Sequence, residues 1–169
     1  MNRKIMATVV IASFALPFTS TVVAETTNAK GAFQAPPASI ERGKYLVKVA
    51  GCNDCHTPGY ALSGGKVPEA QWLIGDKLGW RGPWGTTYAV NLRLYMRDMP
   101  EEKWLKTART LQTRPPMPWF ALNEMTDQDL KAIYHFVRTL PATGEMAPTF
   151  VPPGKEPQGP VVQFPAPPK

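Results

Sequence analysis

Apolar positions recur with a helical period at three places in this 169-residue chain and with little period between them. Ile40, Gly43, Leu46, Val47 and Ala50 fall on one stripe, which predicts a helix capped by Ser39, with Glu41 favourably placed in the first turn. Glycine inside a helix costs roughly 1 kcal/mol against alanine, so Gly43 is worth having where another helix must come close. Trp104, Leu105, Ala108 and Leu111 mark the inward face of a second helix, with Pro100 at its first position. The third helix is the best marked. Thr126 is its cap, Asp129 follows three residues later, and Leu130, Ile133, Tyr134 and Val137 form a face that Phe136 and Leu140 broaden before Pro141 ends it.

Residues 57–97 are rich in glycine, proline and aromatics, which predicts loops, turns and short helical pieces. Tyr60, Trp72, Trp80, Trp84 and Tyr88 supply apolar area there without regular structure, so the segment needs something to fold around. Residues 25–38 read as a flexible leader. From Pro141 to Lys169 nine of 29 residues are proline, so residues 142–169 read as an extended tail that either wraps the domain or stays mobile. At the other end, Arg3 and Lys4 precede an apolar run from Ile5 to Phe18, and Val22-Val23-Ala24 offers small residues before Glu25. That is the layout of a cleaved signal peptide over residues 1–24, too short for the roughly 20 apolar residues of a membrane span. It predicts export to the periplasm and a mature chain without a transmembrane segment.

Composition narrows this picture. With 19 prolines and 13 glycines, about one residue in five, a helical bundle is not expected and one domain of ordinary size, residues 39–141, is. The formal charge is +6, and loss of Arg3 and Lys4 leaves a mildly basic chain. Residues 76–114 hold eight cations against four acids, a basic face that suits an acidic protein partner; nothing resembles a nucleic-acid module.

The scarce ligand chemistry sits at one address. The two cysteines and one of the two histidines form the run Cys52-Asn53-Asp54-Cys55-His56. Spacing i, i+3 on a helical turn puts both sulfurs on one side, placed to form thioethers with the two vinyl groups of one porphyrin, and His56 then directs a nitrogen to the iron. Its other nitrogen should donate to a backbone carbonyl. A disulfide would not require the histidine, a thioredoxin-like pair would want a βαβ pattern, and zinc would need His135, which reads as a partly exposed helix side chain. Covalent haem c is the reading that uses all three residues.

A sixth ligand should come from a remote segment. Met117 stands in Arg114-Pro115-Pro116-Met117-Pro118, where prolines stiffen the strand and remove backbone donors. Met125 suits a hydrophobic staple before Thr126, Met96 and Met99 suit core or loop, and Met146 lies in the tail.

The order helix, Cys-x-x-Cys-His-Thr, Gly/Trp-rich loops, Pro-Pro-Met-Pro and a final helix opening Met125-Thr126-Asp127 resembles a class I c-type cytochrome. Ala50-Gly51-Cys52, Cys55-His56-Thr57-Pro58, Gly64-Gly65, Trp84-Gly85-Thr86-Thr87-Tyr88, Asn91-Leu92 and Met117-Pro118-Trp119 are similar to haem domains in cytochrome subunits of periplasmic quinoprotein and flavoprotein dehydrogenases. The resemblance spans residues 39–141. It implies a mainly α, cytochrome c-like fold of three to five short helices and long loops around one covalent haem, with His56 and Met117 as iron ligands. It also implies that the first and last helices cross near the thioethers, Gly43 admitting the approach and Phe136 packing against it. Two features depart from the pattern. The chain has one haem motif where such subunits often have several, and basic Arg93-Leu94-Tyr95-Met96-Arg97 replaces an acidic turn.

The function expected is one-electron transfer between a dehydrogenase or other redox enzyme and a respiratory acceptor, by a carrier that is not itself an enzyme. Arg81, Arg93, Trp84 and Tyr88 are candidate contacts for the haem propionates. The alternative is a peroxidase-like enzyme or small-gas sensor with a labile Met117, which no second histidine or distal acid–base cluster supports. A third possibility is a structural subunit tethered by the tail.

Overall fold

The computed structural model describes residues 33–165. The expected signal peptide and most of the expected leader lie outside them. Helix α1 runs Pro37–Val49, α2 Cys52–His56, α3 Leu92–Met96, α4 Glu101–Thr110, α5 Trp119–Glu124 and α6 Asp127–Thr139, with a short 3-10 turn at Glu69–Gln71. Three strands, β1 Gly79–Gly82, β2 Gly85–Tyr88 and β3 Val161–Gln163, complete the described chain. The fold is mainly helical, as expected, with one helix beyond the upper end of the expected three to five.

The two long helices α1 and α6 cross in close contact, and their buried faces are the ones the periodicity marks. Gly43, Leu46 and Val47 are buried on α1, and Leu130, Ile133, Tyr134, Phe136 and Val137 on α6. A β-carbon built on Gly43 would overlap the Ala132 carbonyl oxygen and stand 2.8 Å from Phe136 Cβ. Thr126 caps α6 as expected, accepting from the Asp129 amide at 3.1 Å. α4 lies against α6, where the Trp104 indole donates to the Leu130 carbonyl at 2.8 Å.

Two local expectations are corrected. Ser39 does not cap α1, because Pro36 and Pro37 already start the helix, Pro37 needing no amide partner at that position. Its hydroxyl instead lies 2.7 Å from His135 Nδ1. His135 is partly exposed as expected, at 12%, and its Nε2 lies 2.7 Å from Glu101 Oε2, so one imidazole joins α1, α4 and α6. Similarly, Pro100 is the residue before α4 and not its first turn.

The loop-rich stretch folds on aromatics. Tyr60 meets Trp72 edge to face at 5.9 Å, and Trp72 meets Phe136 of α6 at 6.2 Å. It also contains a hairpin that the sequence pattern does not announce. β1 and β2 are antiparallel, with Gly79 opposite Tyr88 and Gly82 opposite Gly85, and Gly85 takes a φ of 100° that favours glycine.

The proline-rich tail wraps the domain. Val151 bridges to Thr86 on the outer edge of β2, and β3 pairs parallel with β1, giving the sheet order β2-β1-β3. Phe164 packs against Trp84 at 5.4 Å and Trp80 at 6.1 Å. Of the expected leader, Phe33 packs edge to face on Tyr134 at 5.6 Å.

Candidate haem-binding site

Gly51, in the left-handed conformation at φ 74°, turns the chain sharply from α1 into α2. That single turn of helix carries Cys52, Cys55 and His56 together. Both cysteines are partly buried and they are not joined in a disulfide. Burial pushes the Cys52 thiol up to about 11 and raises Cys55 as well.

His56 is the most constrained member. Its ring is buried, and Nδ1 lies 2.7 Å from the Val90 carbonyl oxygen. An Nδ1 that donates there leaves Nε2 as the lone-pair nitrogen, the form in which imidazole binds iron. Burial lowers the pKa of His56, against the opposing pull of the Val90 carbonyl, which further favours the neutral ring. The backbone around it is pinned. Gly75 donates to the His56 carbonyl at 2.9 Å, Thr57 Oγ1 donates to Asn53 Oδ1 at 2.7 Å, and that hydroxyl accepts from the Leu73 amide at 2.8 Å. The carbonyl acceptor that the sequence requires without naming is therefore Val90, just ahead of α3.

Met117 is partly buried against the hydrophobic core. Thr87 on β2 donates to the Pro115 carbonyl at 3.0 Å, so the hairpin holds the segment that carries the methionine. Met125, before the α6 cap, also packs on the core, as a staple residue should.

The four expected propionate contacts are placed differently from one another. Arg93 is 2% exposed, and its guanidinium donates to the carbonyls of Trp72 at 2.7 Å, Glu69 at 3.1 Å, Ala70 at 3.1 Å and Pro141 at 3.2 Å. Its observed partners are thus all backbone oxygens, and it joins the 57–97 loop to the end of α6. Arg81 makes a bidentate pair with Glu156 of the tail at 2.8 and 2.6 Å. The Trp84 indole donates to Trp80 O at 3.3 Å, and Tyr88 lines a surface cleft between hairpin and tail with Lys77 and Val151. Trp80, which the sequence marks as aromatic area but not as a cofactor contact, has a buried indole N–H with no partner within the protein. Asn53 Nδ2 is also buried and unpartnered. Unsatisfied buried donors of this kind suit a polar group brought by a cofactor.

The residues present therefore fit haem: two thiols on one helical turn, an oriented neutral imidazole beside them, and buried donors left over. Among the described residues no three His, Cys, Asp or Glu side chains converge to hold a metal ion without it, and His135 is engaged elsewhere. Fold and site together define a small c-type haem protein. Residues 40–141 match the family described as cytochrome c, and the chain belongs to that family, with covalent haem c on Cys52 and Cys55 as its cofactor. It is 31% identical over 111 residues to a fructose dehydrogenase cytochrome subunit of Gluconobacter japonicus, an alignment covering 60% of this chain and 21% of that protein. The chain thus spans about a fifth of that relative's length. No solved structure gives a significant match. Haem-based electron transfer is the activity that family and relative support.

Proposed function

We propose that this chain is a periplasmic one-electron carrier with His56 and Met117 as axial ligands, serving a dehydrogenase as donor and a respiratory protein as acceptor. The observation that carries the reading is the His56 ring, buried and fixed by Val90 so that one nitrogen remains for iron. The haem supplies an Fe(III)/Fe(II) couple that takes one electron from a reduced dehydrogenase and gives it to an oxidised acceptor. The polypeptide's part is to hold the ligands. The prolines around Met117 limit its backbone freedom, and a thioether there favours the reduced iron over a second imidazole. Two side-chain ligands leave no open position for oxygen or peroxide, which is why the chain reads as a carrier and not a catalyst.

Export rests on the amino-terminal pattern, and among the described residues no helix is long and apolar enough to cross a membrane. A dehydrogenase donor rests on this chain's similarity to a protein named as the cytochrome subunit of a fructose dehydrogenase. The test is the haem-loaded full chain and its Met117→Ala variant. The wild type should stay low-spin and bind carbon monoxide slowly when reduced, and Met117→Ala should bind it at once. An unchanged low-spin spectrum in Met117→Ala overturns the ligand assignment.

A further inference from the structure

The tail from Ala142 onward is outside the region matched to the family, yet it reaches the methionine segment by two routes, one direct and one through the hairpin. Phe150 faces Arg114, whose guanidinium carbon lies 3.8 Å from the ring centroid. Arg114 is followed at once by Pro115, whose carbonyl accepts from Thr87. Thr87 belongs to the hairpin, and the tail grips that hairpin on both edges. On one side Thr86 and Val151 exchange two backbone hydrogen bonds of 2.8 and 3.0 Å. On the other, Gly79 donates to Pro160 at 2.9 Å and Phe164 donates to Arg81 O at 2.7 Å, and Arg81 also pairs with Glu156, which lies between Val151 and Pro160 in sequence. Phe150 also lies over Gly85, where an added β-carbon would stand 2.9 Å from its ring.

Consecutive residues of the segment, Arg114 and Pro115, are thus held from two directions, one directly by the tail and one through the strand that the tail secures. Met117 is two residues further on. A ligand whose backbone is already ordered loses less freedom on binding, so its bond to iron opens less often.

We propose that Phe150 and Thr87 are positioning residues for the Met117 ligand, the proline-rich tail being the part of the chain that holds the sulfur on the iron. This rests on the reading that Met117 is the sixth ligand. Each contact resists release of the sulfur without touching the haem. Phe150→Leu removes the aromatic face and keeps apolar bulk over Gly85, Arg114→Gln removes the cation from the other side, and Thr87→Val removes the hydroxyl and keeps the β-branched shape.

The experiment adds imidazole to the ferric, haem-loaded full chain and follows its binding, which requires the methionine to leave. Phe150→Leu and Arg114→Gln should each raise the rate of imidazole binding about two- to fivefold, the range that an exposed cation–π contact supports, and the pair together should do no more than either alone. Thr87→Val should raise it by a further factor. Circular dichroism and the haem content of each variant should match the wild type. In a Met117→Ala background the same substitutions should change nothing, since no sulfur remains to be released. Wild-type imidazole kinetics in all three variants would overturn the proposal while leaving the Met117 assignment standing. If instead Met117→Ala keeps the wild-type imidazole kinetics, the ligand assignment itself fails, and the proposal with it.

Discussion

Gly43 of α1 and Phe136 of α6 approach so closely that even one methyl group at Gly43 would meet the Phe136 β-carbon at 2.8 Å. The nearer obstacle is the Ala132 carbonyl oxygen, which belongs to the backbone of α6 and cannot rotate away. Alanine ordinarily stabilises a helix against glycine by roughly 1 kcal/mol. Here overpacking of about 1–3 kcal/mol or more must be set against it. Gly43→Ala should therefore lose stability despite its better helix propensity, and urea unfolding of the haem-loaded protein reads the sign directly.

Arg93 is a buried cation whose fork reaches four carbonyl oxygens. Burial lowers its pKa, the largest of the influences on it, but the carbonyls match a guanidinium and not an ammonium point charge. Arg93→Lys should destabilise the protein by roughly 2–4 kcal/mol, the scale of one or two lost charge-assisted hydrogen bonds. Thermal unfolding of the variant, with haem content held equal, measures it.

Asp129 accepts from Arg42 Nε at 3.0 Å across the α1–α6 crossing. That hydrogen bond holds the Asp129 carboxyl below its ordinary value. A carboxylate depressed in the folded state stabilises fully above its unfolded pKa, and the contribution vanishes as pH falls through the depressed value. Asp129→Asn should cost about 0.2–1 kcal/mol at neutral pH, as an exposed pair does, with the gap closing in acid below the usual carboxylate range. Urea midpoints for both proteins across pH give the curve.

Cys52 and Cys55 share one turn, so each anchors the haem independently. Either single alanine variant should retain haem through one thioether, and the double variant should release it on acid–acetone extraction of the denatured chain.

α1, α4 and α6 were legible because each has a face buried against another helix, whereas the six-residue α5 is too short to show a period. The stripe through Leu46 and Val47 and the one through Leu130, Ile133 and Val137 need no knowledge of the partner beyond its being apolar. Gly43 was legible for the opposite reason, as a residue that a helix would otherwise avoid. Cys52, Cys55 and His56 were legible because their spacing is local and only one chemistry uses all three.

The missed features are those whose meaning lies at the far end of the chain. Ser39 has the composition of a cap, and only the presence of His135, 96 positions later, shows what its hydroxyl does. Arg93 reads as a candidate propionate partner until Trp72 and Pro141 are brought around it. β1 and β2 lack alternation because Gly79, Gly82 and Gly85 occupy positions where strand side chains would crowd Thr86, Trp84 and Phe150. Nor does Val161-Val162-Gln163, between prolines, disclose that it pairs with Gly79-Trp80-Arg81.

That last pairing sets an order of events. A chain made from its amino end has α1, the cysteines, the hairpin, Met117 and α6 in hand while β1 still lacks its second neighbour, since β3 follows all of them in the chain. Pairings this distant in sequence form late. The nascent protein thus passes through an interval in which one edge of its small sheet is bare and the methionine segment is untethered by Phe150. The closing strand, arriving after everything it encloses, makes the finished cytochrome tighter than any of its own growing fragments.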